Sequence, residues 1–368
     1  MKNACIALIN TKNTNSISGV SLVLNSFLSF GYSCEEIRFI DEKRITSFGE
    51  TVLSLLKDYD NLLLVTSKKI LATAQNMIAD ECGGTFMQST TSGAGILTKK
   101  DSTAFLLSMT DDESGLQFLV NVCVPHLTQK YGLRYEKLTL KTIGASALKI
   151  NELLALAKEM SVDKLSFNHY RAYDEDKIEI VYDSMTSKML TDDVLRLFAE
   201  GLEGKLYALN DSSIEQNLVD LLKLRGMKLS VAESFTGGGI GRRIVSVSGA
   251  SEVYFEGLNT YNELSKKKRL GVREYSLKTF GAVSDETAYE MAAGLIAEGD
   301  SDITIATTGL AGPKSDNSDL PIGLAYIAIG TKEKVYVYRY KFDGTRQEIT
   351  EKAINHALFL AYRHLKNI

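Results

Sequence analysis

Short β-branched and leucine runs, each leading into a stretch of helical periodicity, limit most narrowly what this chain can fold into. "ACIALI" (residues 4–9), "NLLLVTS" (61–67) and "DITIATTG" (302–309) lack the strict apolar–polar alternation of a half-exposed strand. Such runs read as strands covered on both faces, the pattern of a parallel sheet between helix layers. Amphipathic helical patterns occupy residues 18–30, about 49–59 and 284–299. Strand–helix–strand order of this kind predicts α/β units with crossover connections.

Near residue 131 the texture changes. "YEKLTLKTIGAS" predicts a strand and residues 150–160 a helix. "KLSFNHYRAYDEDKIEIVYDS" predicts a hairpin turning at Asp174, Glu175 and Asp176. Alternating α/β texture resumes at about residue 209. A helix carries Ile214, Leu218, Leu221 and Leu222 on one face, with Ser213 as its N-cap and Gly226 as its stop. A chain of 368 residues exceeds a single common core. The expected architecture is multidomain α/β: a three-layer α/β domain over 1–130, a small α+β module over 131–208 and a second α/β domain over 209–368.

Charge and cysteine usage narrow the function classes. A net charge of −4 supplies no basic field for nucleic acid. Of the four cysteines, Cys5, Cys34, Cys82 and Cys123, none forms a CxxC pair. Cys123 and His126 have no second ligand pair, so no metal is expected. Free thiols fit a reducing compartment. The opening "MKNACIALINTKN" lacks a signal peptide's apolar stretch, and no apolar run approaches the ~20 residues of a membrane span. A cytoplasmic protein without membrane or nucleic-acid partners is the expectation.

Three loops of the last domain hold unusual residues. "VAESFTGGGIGRRI" (231–244) sets Ser234 and Thr236 beside Gly237, Gly238 and Gly239, between a strand and a helix. Backbone N–H groups at such a turn can hold a phosphate or an oxyanion, and a hydroxyl beside them is a candidate nucleophile. Taken alone, the pattern favours a capped helix start with Ser234 or Thr236 as the cap. It is neither GxSxG nor a P-loop. The second loop, "ATTGLAGPKSDNSDLPIG", is long for a β–β connection and holds Thr308, Gly309 and Gly312. The third, "FDGTR", places Arg346 near the start of the last helix, where a guanidinium can meet an anion. Between them, "NTYNELSKKKRLGV" carries Tyr261 and Lys266. Read singly, Lys266 belongs to an exposed charge run and Tyr261 is a half-buried aromatic.

In order, "AESFTGG", "NTYNELSKKKRLGV", "GAVSDETAYEMA", "TTGLAGP", "LPIGLAYIA" and "FDGTR" resemble the C-terminal domain of the CinA family of competence/damage-inducible proteins. That domain resembles nicotinamide mononucleotide (NMN) deamidase. The resemblance implies hydrolysis of the NMN carboxamide to nicotinic acid mononucleotide and ammonia, without metal or cofactor. It implies catalytic roles for Ser234, Lys266 and Tyr261. Substrate contacts would come from Thr236, Gly237, Gly238, Thr308, Gly309, Gly312 and Arg346. A homodimer is also implied. "KTIGASALKI" resembles the start of the family's KH-like module, so 131–208 is expected to be KH-like. The one GxxG there, "GLEG" at 201–204, carries Glu203, which would repel a phosphate backbone.

This chain also departs from the family pattern. Phe235 stands where the family has cysteine, and "GTR" where it has "GDR". Residues 1–130 resemble the family's molybdopterin-binding-like domain, which can hydrolyse ADP-ribose with a metal. Here "INTKNTNS" keeps Asn13, Thr14 and Asn15, but the glycine-rich loop after the central strand has become "VTSKKILAT". Without glycines the backbone cannot approach a diphosphate closely. This domain is therefore expected to keep its fold and lack pyrophosphatase activity. A non-catalytic nucleotide-binding or competence-related interaction protein is the alternative reading, and turnover of NMN separates the two.

Overall fold

The computed structural model describes residues 1–88, 93–109, 114–313 and 319–367. The chain divides into two compact units. One comprises Met1–Lys137, Val162–Ser166 and Ile180–Lys188; the other comprises Leu138–Ser161, Phe167–Glu179 and Met189–Ile368. The expected mixed α/β multidomain class is observed, with three sheets.

A six-stranded sheet, ordered β2-β1-β3-β6-β5-β4, belongs to the first unit. Its strands are β1 (Asn3–Ile9), β2 (Glu36–Asp41), β3 (Asn61–Ser67), β4 (Met87–Gln88), β5 (Gly95–Lys99) and β6 (Ser102–Met109). β2, β1, β3 and β6 run parallel, and β5 turns back antiparallel on β6. The helices are α1 (Thr14–Ser29), α2 (Phe48–Leu55), α3 (Leu71–Cys82), α4 (Ser114–Phe118) and α5 (Val124–Tyr131). β1 is buried along its whole length. Its Cys5, Ala7 and Ile9 pack with Val20 and Phe27 of α1, and its Ala4, Ile6 and Leu8 with Phe48, Val52 and Ile78. A strand covered on both faces has no polar side to show, which is why "ACIALI" does not alternate. The retained Asn13 caps α1, its side chain accepting from the Asn15 N–H at 3.0 Å.

A four-stranded sheet follows, ordered β10-β7-β9-β8. It contains β7 (Tyr135–Ile143), β8 (Ser166–Ala172), β9 (Glu175–Asp183) and β10 (Leu206–Ala208), with α6 (Ala147–Ser161) and α7 (Lys188–Gly201). The hairpin turns one position earlier than expected. Tyr173 and Asp174 are its central residues, at φ of 51° and 60°, and Glu175 and Asp176 already belong to β9. A two-residue turn with both residues left-handed matches the twist of the flanking strands.

The remaining elements of the second unit are α8 (Ile214–Arg225), β11 (Leu229–Glu233), α9 (Gly239–Val245), β12 (Tyr254–Asn259), α10 (Glu263–Leu270), α11 (Glu274–Phe280), α12 (Asp285–Ala297), β13 (Ile303–Gly309), β14 (Leu324–Thr331), β15 (Val335–Lys341) and α13 (Arg346–Asn367). Ser213 and Gly226 bound α8 as expected. The five-stranded sheet is ordered β12-β11-β13-β14-β15. β12, β11 and β13 are parallel; β14 and β15 are antiparallel. Side chains alternate in size across it. Val231, Ile305, Ile327 and Ile329 meet α8, α9 and α13 on one face. Ala232, Ala306 and Ala328 meet α12 on the other. Large residues fill the wider layer, and alanines admit α12 closely.

Candidate active site

Three strand ends meet at one edge of the second unit's sheet. In register, Glu233 of β11 pairs with Asn259 of β12 and Thr307 of β13. The Ser234 N–H donates to Thr307 O at 3.1 Å, and the Thr260 N–H to Glu233 O at 2.8 Å. Parallel pairing therefore sets Ser234, Thr260–Tyr261 and Thr308–Gly309 side by side at the carboxyl ends of the strands, where open α/β sheets collect ligands.

Lys266 reaches Ser234 from α10. Asn262 caps this helix, its side chain accepting from the Leu264 N–H at 2.9 Å. Helical spacing then turns Lys266 and Leu270 inward and leaves Lys267, Lys268 and Arg269 exposed. The charge run is thus a solvated face only in part. Lys266 is 1% exposed. Its Nζ lies 2.9 Å from Ser234 Oγ, 2.6 Å from Thr260 O and 3.3 Å from Tyr261 O. Burial lowers its pKa to about 8, against a weaker upward pull from Glu263. A neutral amine has two N–H groups and one lone pair. With the two carbonyls accepting the N–H groups, the lone pair is left for the Ser234 hydroxyl, the arrangement of a base activating a nucleophile.

The glycine turn is occupied differently from expectation. Neither Ser234 nor Thr236 caps α9; Gly238 is the N-cap residue and carries no side chain to do so. The buried carboxylate of Glu233 takes that role. It accepts from the N–H groups of Gly238 and Ile240, each at 3.1 Å, and of Gly241 at 2.9 Å. The Gly237 N–H donates to Ser234 O, and the Gly239 N–H to Thr236 O. The Thr236 hydroxyl is paired with that of Thr307 at 2.8 Å. Among the described residues, the N–H groups of Phe235 and Thr236 are the turn's donors without a protein acceptor. The sequence signal for Glu233, absent from the expected site, is an acid at a strand end, directly before a turn rich in backbone donors.

A cavity of about 590 Å³ opens at this edge. Ser234, Tyr261, Lys266, Thr308, Gly309, Gly312 and Arg346 all line it, joined by Phe235, Asn262, Glu263 and Val283. Thr236, Gly237 and Gly238, expected among the substrate contacts, do not, because the turn folds back on Glu233 and Thr307. Tyr261 is 66% exposed rather than half-buried. Residues 314–318 of the second loop lie outside the described residues.

Local rules also place Arg346. Thr345 and Glu348 form a capping box: the Thr345 N–H donates to the Glu348 carboxylate at 2.7 Å, and the Glu348 N–H to Thr345 Oγ1 at 3.3 Å. Arg346 is thereby the first residue of α13, where the helix dipole disfavours a cation. Its Nη1 donates to Gly312 O at 2.7 Å, and its Nη2 to the Tyr261 hydroxyl at 3.5 Å. Phe235 leaves the cavity open. It belongs to a buried apolar cluster with Ala311, Ala325, Phe342, Ile349 and Ala353. Gly309 is required beneath the ring: a Cβ there would meet Phe235 Cε1 at 3.0 Å and Leu324 O at 2.8 Å.

Residues 211–365 match the family model described as the CinA C-terminal domain. A putative competence-damage inducible protein from Caldanaerobacter subterraneus subsp. tengcongensis is 31% identical over 278 residues, covering 74% of this chain and 66% of that protein. The chain belongs to the CinA family. A second CinA-family relative, a putative competence-damage inducible protein from Caldicellulosiruptor saccharolyticus, is 44% identical over 153 residues, 42% of this chain and 37% of its own length. The chain thus spans between 37% and 66% of the length of these curated relatives. The crystal structure of a competence/damage-inducible protein from Agrobacterium tumefaciens aligns at 32% identity with a TM-score of 0.40, over 44% of this chain and 99% of that one. No described helix is long and apolar enough to cross a membrane.

Proposed function

We propose that the C-terminal domain hydrolyses the carboxamide of NMN, giving nicotinic acid mononucleotide and ammonia. The observation that carries this reading is the buried Lys266 Nζ, 2.9 Å from Ser234 Oγ on the lining of the cavity. Lys266 takes the Ser234 proton as Oγ bonds to the carboxamide carbon. The C–N bond breaks as Lys266 returns that proton to the leaving nitrogen, which departs as ammonia. Water then cleaves the ester: Lys266 accepts a proton from water and passes it to Ser234. The Phe235 N–H, next to the nucleophile and free of a protein acceptor, replaces the glycine N–H groups as the donor to the tetrahedral oxyanion.

Thr308, Gly309 and Gly312 line the space left for the ribose, and Arg346 supplies the charge for the phosphate. Tyr261, exposed and 3.5 Å from Arg346 Nη2, fits a role in closing on substrate better than one at the buried dyad. The cavity volume lies within the range of small-molecule sites, ~300–1,000 Å³. The division at residues 130 and 208, an inert first domain and a homodimer complete the reading. The test is ammonia release from NMN by the full chain. Release no greater than that of Ser234→Ala refutes the assignment.

A further inference from the structure

We propose that Glu233 is the positioning residue of the nucleophile turn: its carboxylate holds Ser234 in attacking geometry by binding the N–H groups that a substrate anion would otherwise take. This rests on the amidase reading above. Glu233 ends β11, and a strand alone cannot dictate the course of the chain beyond it. Gly237 and Gly238 both have positive φ, 61° and 91°, so the turn lacks the steric limits that side chains would impose. The carboxylate adds a constraint to the turn's own Gly237–Ser234 and Gly239–Thr236 backbone bonds and the Thr236–Thr307 hydroxyl pair, by tying the turn's far side back to the strand end. Three charge-assisted bonds run from Gly238, Ile240 and Gly241 to one buried side chain that is 2% exposed.

Glu233 also touches the base, but through its backbone. Its carbonyl accepts the Thr260 N–H at 2.8 Å, and the Thr260 carbonyl holds Lys266 Nζ at 2.6 Å. A side-chain substitution therefore loosens the nucleophile and leaves the base in place. This separates positioning from general damage to the fold, which would disturb both.

The experiment compares wild type, Glu233→Gln and Glu233→Asp in the full chain. Glutamine keeps one acceptor oxygen and turns an N–H₂ toward a backbone donor. Aspartate keeps the charge and falls short of the helix. Both should lose kcat by roughly 10–100-fold, as expected for a nucleophile displaced by about 1 Å, with KM within twofold and the pH-rate inflection unmoved. A kcat within threefold of wild type, or an inflection that moves with it, overturns the proposal. If Glu233→Gln does not fold, Glu233→Asp decides by the same criteria. If wild type releases no ammonia from NMN, the amidase reading fails separately. The rate of Ser234 labelling by a fluorophosphonate, located by mass spectrometry, then decides the proposal. Faster labelling of wild type than of Glu233→Gln sustains it; equal rates, or an unlabelled wild type, overturn it.

Discussion

Replacing Lys266 by methionine should abolish activity and stabilise the folded chain at neutral pH. Lowering this lysine from its ordinary 10.5 to about 8 corresponds to about 3 kcal/mol of folding free energy spent at pH 7 on a buried ammonium. Methionine fills similar space without charge, and leaves the Thr260 and Tyr261 carbonyls short of a donor at about 1 kcal/mol each. The pH dependence of the difference is cleaner than its size at one pH. Because the folded pKa lies below the unfolded one, the unfolded chain binds more protons between about pH 8 and 10.5. Wild-type stability therefore rises through that window, and the destabilisation is fully present below it. In Lys266→Met this rise is missing. Urea unfolding at pH 7, 8, 9 and 10 should show the variant's stability relative to wild type falling by about 2–3 kcal/mol between pH 7 and 10. The same lysine should impose a tenfold fall in wild-type kcat/KM per pH unit below about 8, with a plateau above. A pH-independent stability gap together with a flat pH-rate profile would refute the buried-base argument.

With Arg346 holding the phosphate as proposed, away from the dyad, Arg346→Ala should raise KM for NMN by roughly 10–100-fold and leave kcat within a few-fold; steady-state kinetics decide. Phe235→Ala should cost about 3–5 kcal/mol by leaving a cavity among Ala311, Phe342 and Ile349, read from the urea midpoint. ADP-ribose supplied with magnesium, manganese or cobalt should yield no AMP from the full chain above a no-enzyme control, as residues 68–70 offer no glycine turn to a diphosphate.

Much of the fold follows from local pattern. Within "DITIATTG" the strand runs from Ile303 to Gly309 and is buried through Thr308, as the lack of strict apolar–polar alternation predicts for a strand covered on both faces. Ser213 and Gly226 bound α8, and Ser284 caps α12, because unpaired N–H and C=O groups at helix ends demand such residues within one turn. The capping box of Thr345 and Glu348 is equally local, and it alone explains how Arg346 comes to stand at the first position of α13. The hairpin turns one residue earlier than its acidic triplet predicts, because such a triplet names a turn without saying which two residues turn left-handed.

The candidate site divides along the same line. Order along the chain identified Ser234, Lys266 and Arg346 as belonging to one family pattern. Lys266 and Leu270, four apart before a glycine stop, even carried a helical signature for the lysine's inward side. What sequence by itself determined was the menu: strands, caps, a glycine turn, and a lysine among lysines. Which of those groups are free to act was decided by tertiary structure. Parallel register laid Glu233 between Asn259 and Thr307, and its carboxylate took the N–H groups of Gly238, Ile240 and Gly241, which leaves the Phe235 N–H as the oxyanion donor of the proposed mechanism. Burial of the inward face of α10 lowers the pKa of Lys266, one of four consecutive cations, which fits the base of the proposed mechanism. The register that pairs Glu233 with Asn259 and Thr307, and the contact of Lys266 with Ser234, join parts of the chain far apart in sequence, and the desolvation that follows lies in no local window of the chain.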